Sequence, residues 1–248
     1  MQESLGVGGS AEIPPTRRAP GRPSGIEGTP QGQLDDPRAL QILTTEHWSL
    51  LSARSLVYNE AFSRAGMFLA FLSMSFVAIG LAGPAMSFSR SFLSLTAILL
   101  FFDVVVGLAT LGRLVDARDD DLRAIQGMNR IRHGYVEIVP AVAPYLIASV
   151  HDDLPGILAT YGGDDRRGLT ALLHGLTTTP GMVGLIVSLV AAALASVIVL
   201  AADGPAWLSV AAAIPVGVLV FAAGGYLTVR SMYRMRTDLP SRFPTPKK

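Results

Sequence analysis

Asp103 stands out first among residues that could do chemistry, because it is the one ionisable side chain well inside a long apolar stretch, thirteenth of the twenty-two residues Ser91–Gly112. Intramembrane carboxyls serve as proton carriers, cation ligands or pore-lining charges, and otherwise as hydrogen-bonded structural groups. No basic residue occupies any apolar stretch, so the structural alternative is pairing with a hydroxyl at Ser73, Ser75, Ser188 or Ser196. A second cluster, Asp116, Asp119, Asp120 and Asp121, follows the same stretch. Carboxylates three and four apart share a helix face and can hold Mg²⁺ against a diphosphate, as in lipid-linked transferases. The aspartate-rich spacing of such enzymes is not met: Asp119-Asp120-Asp121-Leu122-Arg123 lacks the second acid of D-D-x-x-D, and Asp116-Ala117-Arg118 lacks a glycine after its first acid. With Arg118 and Arg123 interspersed, a solvated, salt-bridged helix face is the expectation. His47, His133, His151 and His174 form no H-E-x-x-H or H-x-x-x-H pair, and zero cysteines exclude disulfides, thiolate metal sites and thiol nucleophiles. Phosphate-loop, dinucleotide and serine-hydrolase motifs are missing. The expectation is a protein without catalysis, metal or cofactor.

The elements that must position these residues are set by composition. Half of the 248 residues are hydrophobic, 16 % are charged, and the mean hydropathy is +0.44; a soluble domain carries about 25 % charged residues. Four stretches, Ala65–Gly83, Ser91–Gly112, Gly181–Ala202 and Ala206–Val229, meet the ~17–25 residues needed to cross ~30 Å of hydrocarbon. Asp103 costs its span about 2.5–3.5 kcal/mol, and thirteen Leu, Ile, Phe and Val return about 4–8 kcal/mol. Six basic residues precede the first span, seven lie between the second and third, six follow the fourth, and Arg90 alone sits in a tight loop. The positive-inside rule then puts both termini in the cytoplasm, and an even number of spans agrees by returning both to one side. Net charge of only +1 argues against nucleic-acid binding.

The predicted fold is all-α: a polytopic membrane protein with four transmembrane helices in two antiparallel hairpins, the first pair extended into a cytoplasmic helical hairpin. Residues 1–37 hold seven glycines and six prolines and read as a disordered tail with no secretory leader. Residues 38–134 comprise an amphipathic cytoplasmic helix, the first two spans and a helical extension. From Leu40, the sets Leu43, Leu50, Val57 and Trp48, Leu51, Tyr58, Phe62 repeat at helical spacing, with Thr44 or Thr45 as the cap, giving one rod from Leu40 to Gly83. The second span continues from Arg113 to His133. Such rods can pair as a coiled coil with each other or with copies of themselves.

Residues 135–180 read as a cytoplasmic short-helix segment. Tyr135–Val139 alternates like a strand, Asp152 and Asp153 stand where helix caps belong before Pro155, and Asp164 or Asp165 precedes the amphipathic stretch Leu169–Leu176. Residues 181–229 form the second hairpin. There Gly184, Ser188, Ala192, Ser196 and Ser209, Ala213, Gly217, Gly225 make two small-residue stripes that face each other. Residues 230–248 are a basic tail lying among anionic head groups.

The functional expectation is an inner-membrane assembly, interaction or signalling module acting through its cytoplasmic helices, with the lipid bilayer and either a homo-oligomer or a cytoplasmic protein as partners. Arginine outnumbers lysine 18 to 2, as in GC-rich bacteria. One alternative is a small oligomeric channel or proton-coupled carrier using Asp103. Another is a Mg²⁺-dependent membrane transferase using Asp116–Asp121.

Overall fold

The computed structural model describes residues 34, 36–161, 175–238 and 240–246, with the backbone alone for 232–238. The N-terminal tail up to residue 33, the caps Asp164 and Asp165 and the residues Leu169–Leu173 lie outside the described residues. The described residues are helical and contain no strand. Four helices are long and apolar enough to cross a membrane.

Helix α1 runs unbroken from Pro37 to Ala85, 49 residues, or about 73 Å at 1.5 Å per residue. It starts earlier than the Thr44/Thr45 cap predicts. Asp36 caps it by accepting the Arg38 N–H at 2.8 Å, and Pro37 supplies a pre-set φ at the first helical position. Thr45 instead donates its hydroxyl back to the Gln41 carbonyl at 2.8 Å, a mid-helix arrangement. At the far end Ser87 and Phe88 take left-handed backbone angles, φ 50° and 49°. They fold the Phe88 ring over Gly83, where a Cβ would lie 2.8 Å from it, so this turn needs the bare glycine.

Helix α2 then runs from Arg90 to Ile138, also 49 residues. Its pairing with α1 keeps a nearly constant register: Phe68 with Gly107, Leu50 with Gly127 and Leu43 with Gly134, and Ser75 with Asp103. The two helices therefore run in opposite directions along their whole length. A Cβ on Gly127 or Gly134 would meet Leu50 at 2.9 Å or Leu43 at 3.1 Å. Both the leucines and the glycines are seven apart, so each leucine enters a notch in the partner helix. Continuation to Ile138 replaces the strand-like reading of Tyr135–Val139. Here tertiary contact overrides local alternation: the Tyr135 ring stacks on His47 at 5.8 Å and its hydroxyl shares a hydrogen bond with His47 Nδ1 at 3.3 Å.

A 3-10 turn (Pro140–Tyr145) and a short helix α3 (Leu154–Thr160) follow. Asp153 caps α3 as predicted, accepting the Gly156 N–H at 3.0 Å. Helix α4 (Thr179–Ala201) starts on Thr178, whose hydroxyl accepts the Gly181 N–H at 3.3 Å. Helix α5 (Ala206–Asp238) continues through Pro215. The small-residue stripes meet in part: a Cβ on Gly217 would lie 3.2 Å from Ala192 Cβ and 3.3 Å from the Ser188 carbonyl. Gly184 of the first stripe turns instead toward Leu111 of α2, as does Gly224, which is outside the second stripe, and a Cβ on Gly225 would meet nothing within 4 Å. Arg90 and Asp203 form an ion pair between the two short turns.

The main core joins α1, α2 and α4 through Phe68, Leu72, Leu100, Leu111, Val183 and Val187. A second, smaller core outside the apolar stretches joins Leu122, Ile125 and Met128 of α2 to Ile157 of α3. Large apolar side chains of α5 such as Trp207, Ile214, Val218 and Leu219 are exposed. Within this main core Gly107 is tightly enclosed, since a Cβ there would stand 2.5 Å from Val187 Cγ2 and 2.9 Å from the Phe68 ring. Gly107→Val should destabilise the detergent-solubilised protein by about 1–3 kcal/mol through overpacking. Gly112→Ala, where a Cβ meets nothing within 4 Å, should be neutral or stabilise by up to ~1 kcal/mol. Thermal unfolding midpoints of the two variants check this.

Candidate functional site

Asp103 is fully buried between α1 and α2. Ser75 Oγ donates to its Oδ1 at 2.9 Å. Ser75 is thus the partner among the four hydroxyls considered, while Ser73 and Ser188 donate to the carbonyls of Leu69 and Leu185. The second oxygen, Oδ2, has no hydrogen-bond partner, and no ion pair reaches this carboxyl among the described residues. Chemically this is a solitary acid in an apolar contact, open on one oxygen to a proton.

The four aspartates beyond it do not converge. Asp116 pairs with Arg113 at 3.4 Å and Asp120 with Arg123 at 3.2 Å, both at the exposed surface, where such pairs stabilise little. Asp119 accepts from Ser231 of α5. Asp121 is buried and receives Arg54, Tyr161 and the Tyr58 hydroxyl, the last at 3.1 Å. Burial and the Asp121 charge push the Tyr58 hydroxyl above its ordinary range. Burial opposes the Arg54 charge, and the hydrogen bond Arg54 donates to Asp121, the Asp121 charge and Tyr58 together outweigh it, holding the guanidinium as a cation. This cluster ties α1, α2 and the residue after α3 together. Among the described residues no three His, Asp or Glu side chains gather as a metal site.

A third polar centre was not legible in the sequence, and it involves the C-terminal segment predicted to lie among head groups. Residues 240–246 instead cross the end of α2 and the loop before α3. Asp152, fully buried, is the anchor. Its Oδ1 accepts the N–H groups of Arg242 at 3.0 Å and Phe243 at 2.7 Å. Its Oδ2 accepts Arg242 N–H at 2.9 Å and Arg130 Nε at 2.5 Å. The Asp152 N–H donates to the Phe243 carbonyl at 3.2 Å. Asp153 accepts the Thr245 N–H at 2.9 Å and the Thr245 hydroxyl at 2.7 Å, and Arg130 donates to the Pro240 carbonyl at 2.8 Å. The Phe243 ring stacks on His133, centroids 3.9 Å apart and 19° from parallel.

Below this segment a buried amide floor holds the loop in place. Asn129 donates to the His151 carbonyl at 2.8 Å and Gln126 to the Asp152 carbonyl at 2.9 Å. Thr160 donates to Asn129 Oδ1 at 3.1 Å, and Arg132 reaches the same oxygen at 2.8 Å. Sequence reading assigned Asp152 and Asp153 alike to capping; only Asp153 caps. Main-chain donors more than eighty residues away engage Asp152, and they leave no mark on side-chain pattern. The Phe243-Pro-Thr-Pro run in a basic tail was the available signal.

No protein-family model, no curated protein and no solved structure matches this chain.

Burial raises the Asp152 carboxyl, but the Arg242 N–H, Arg130 and the Phe243 N–H outweigh it and hold the group below the usual carboxylate range. Asp153 is likewise raised by burial and more strongly lowered by the Thr245 hydroxyl and N–H. With the pKa depressed in the docked state, docking is fully favoured above the ordinary value of about 4 and weakens as pH falls through the docked value. A nitroxide attached at Ser241→Cys should therefore remain immobilised from pH 7 to about 5 and gain a mobile component below about pH 4. In an Asp152→Asn background the mobile component should be present throughout. Electron paramagnetic resonance spectra over this range check both.

Proposed function

We propose that the protein is a multi-pass inner-membrane protein of bacterial type, with four spans in two antiparallel hairpins and both termini cytoplasmic, that works as an assembly and interaction module through the extension of α1 and α2. Supporting the orientation, nineteen of twenty basic residues fall in the segments assigned to the cytoplasm. The contacts agree with it. Leu43 of α1 faces Gly134 of α2, and residues 240–246 touch Arg130 and Asp152. If the four apolar stretches cross the bilayer, all these residues must share one side.

The observation that carries the functional reading is the division of apolar residues on the extension of α1. Leu43 and Leu50 face α2, yet Trp48 is 65 % exposed, Leu51 42 % and Phe62 63 %. These lie outside the predicted span, where lipid tails do not cover them, and a chain that leaves Trp and Phe in water at helical spacing offers a binding stripe. A second copy, joined through a coiled-coil contact, is the simplest occupant; a cytoplasmic protein is the other. In native membranes, single cysteines at Trp48 or Phe62 of this cysteine-free chain should give oxidative dimers. Trp48→Glu combined with Phe62→Glu should reduce higher-order chemical cross-links at least several-fold. Monomers alone, with no adduct to any other protein, would sink the reading.

The open oxygen of Asp103 favours a second reading, a proton-coupled carrier or channel. Asp103→Asn keeps an acceptor for Ser75, so assembly should persist while proton flux into reconstituted vesicles is lost. Equal flux in the variant and the parent rejects that reading.

A further inference from the structure

We propose that the surface formed by Arg130, His133, Asp152 and Asp153 is a peptide-binding site for an extended segment carrying an aromatic residue followed by Pro-Thr, and that residues 240–246 of the chain are its built-in, displaceable ligand. The inference is independent of which partner covers the stripe on α1 and of any role for Asp103.

The reasons lie in the mode of contact. Three backbone N–H groups, those of Arg242, Phe243 and Thr245, donate to two adjacent carboxylates. The Phe243 carbonyl accepts from the Asp152 N–H, and the Pro240 carbonyl accepts from Arg130. This is recognition of extended main chain, the manner in which peptide sites gain affinity while side-chain contacts give specificity. Two side chains supply that specificity: the Phe243 ring on His133 and the Thr245 hydroxyl on Asp153.

The site is held independently of its occupant. Asn129, Gln126 and Thr160 fix the loop by hydrogen bonds among residues 126–160, and Asp153 keeps its cap bond to Gly156. The occupant is short and follows directly on α5. Removing it would uncover the Asp152 carboxylate, which has Arg130 as its other side-chain partner, and one face of the His133 ring. A segment of the same chemistry from elsewhere meets the same donors and acceptors, so the internal ligand acts as a competitor present at high effective concentration.

The test uses the full-length protein in detergent and a fluorescent peptide of sequence Pro-Ser-Arg-Phe-Pro-Thr-Pro, read by anisotropy. The parent protein should bind it at least ten-fold more weakly than the Phe243→Ala protein, whose own segment has lost its ring contact. Arg242→Pro, which deletes a main-chain donor to Asp152 without touching the helices, should raise peptide affinity in the same direction. Adding Asp152→Asn should abolish binding in either background, and a peptide with alanine for phenylalanine should bind none of the proteins. Equal affinity for parent and tail variants would show that the segment is no competitor. Absence of binding to both tail variants, with unfolding midpoints matching the parent, would show that there is no peptide site. Either result overturns the proposal.

Discussion

Close approach of α1 to α2 is the constraint on which the other contacts rest. Glycine at 107, 127 and 134 removes the side chain that would hold the helices apart, and Phe68, Leu50 and Leu43 fill the notches. Because the register stays nearly constant over two 49-residue helices, one geometric choice fixes distant pairs together. The same rotation that buries Phe68 brings Ser75 onto Asp103 and Arg54 onto Asp121. The stripe containing Trp48 and Phe62 faces outward for the same reason. Dispersion contacts at this spacing are individually ~0.1–0.2 kcal/mol, and their number along such a seam makes them decisive.

Polar groups are distributed accordingly. In the apolar stretches a single carboxyl is tolerated with one hydroxyl beside it. Beyond them the buried acids acquire dense partners: Asp121 receives an arginine and two tyrosines, and Asp152 an arginine and two main-chain N–H groups. Buried charge persists in proteins where pairing and hydrogen bonds offset desolvation. Here that requirement joins α1, α3 and the C-terminal segment to the far third of α2, where the apolar core is too small to hold them unaided.

Much of this architecture was legible from residue types. The four apolar stretches, the rod ending near Gly83, the role of Asp153 as a cap and the partial facing of the small-residue stripes follow from length, periodicity and local chemistry. What escaped depends on distant contact. Tyr135–Val139 alternates like a strand, yet it continues α2, with Tyr135 packed on His47, nearly ninety residues earlier. The choice of Ser75 among four candidate hydroxyls depends on helix rotation, which composition does not encode. Asp36-Pro37 and Thr44-Thr45 both carry cap chemistry, and local residue types alone do not decide between them. The engagement of Asp152 by Arg242 and Phe243 is invisible to any side-chain motif, since the donors are amide groups that nearly every residue carries.

The ion pair between Arg90 and Asp203 gives α5 a particular mechanical situation. It fastens the turn just before that helix to the start of α2, while the chain just after the helix is fastened to the opposite end of α2 through Arg130. The least enclosed of the four long apolar helices is thus held like a string at two pegs. Ser231 on Asp119 adds a tie of the helix itself to α2, so letting the segment after it go would slacken only the last turns of the helix.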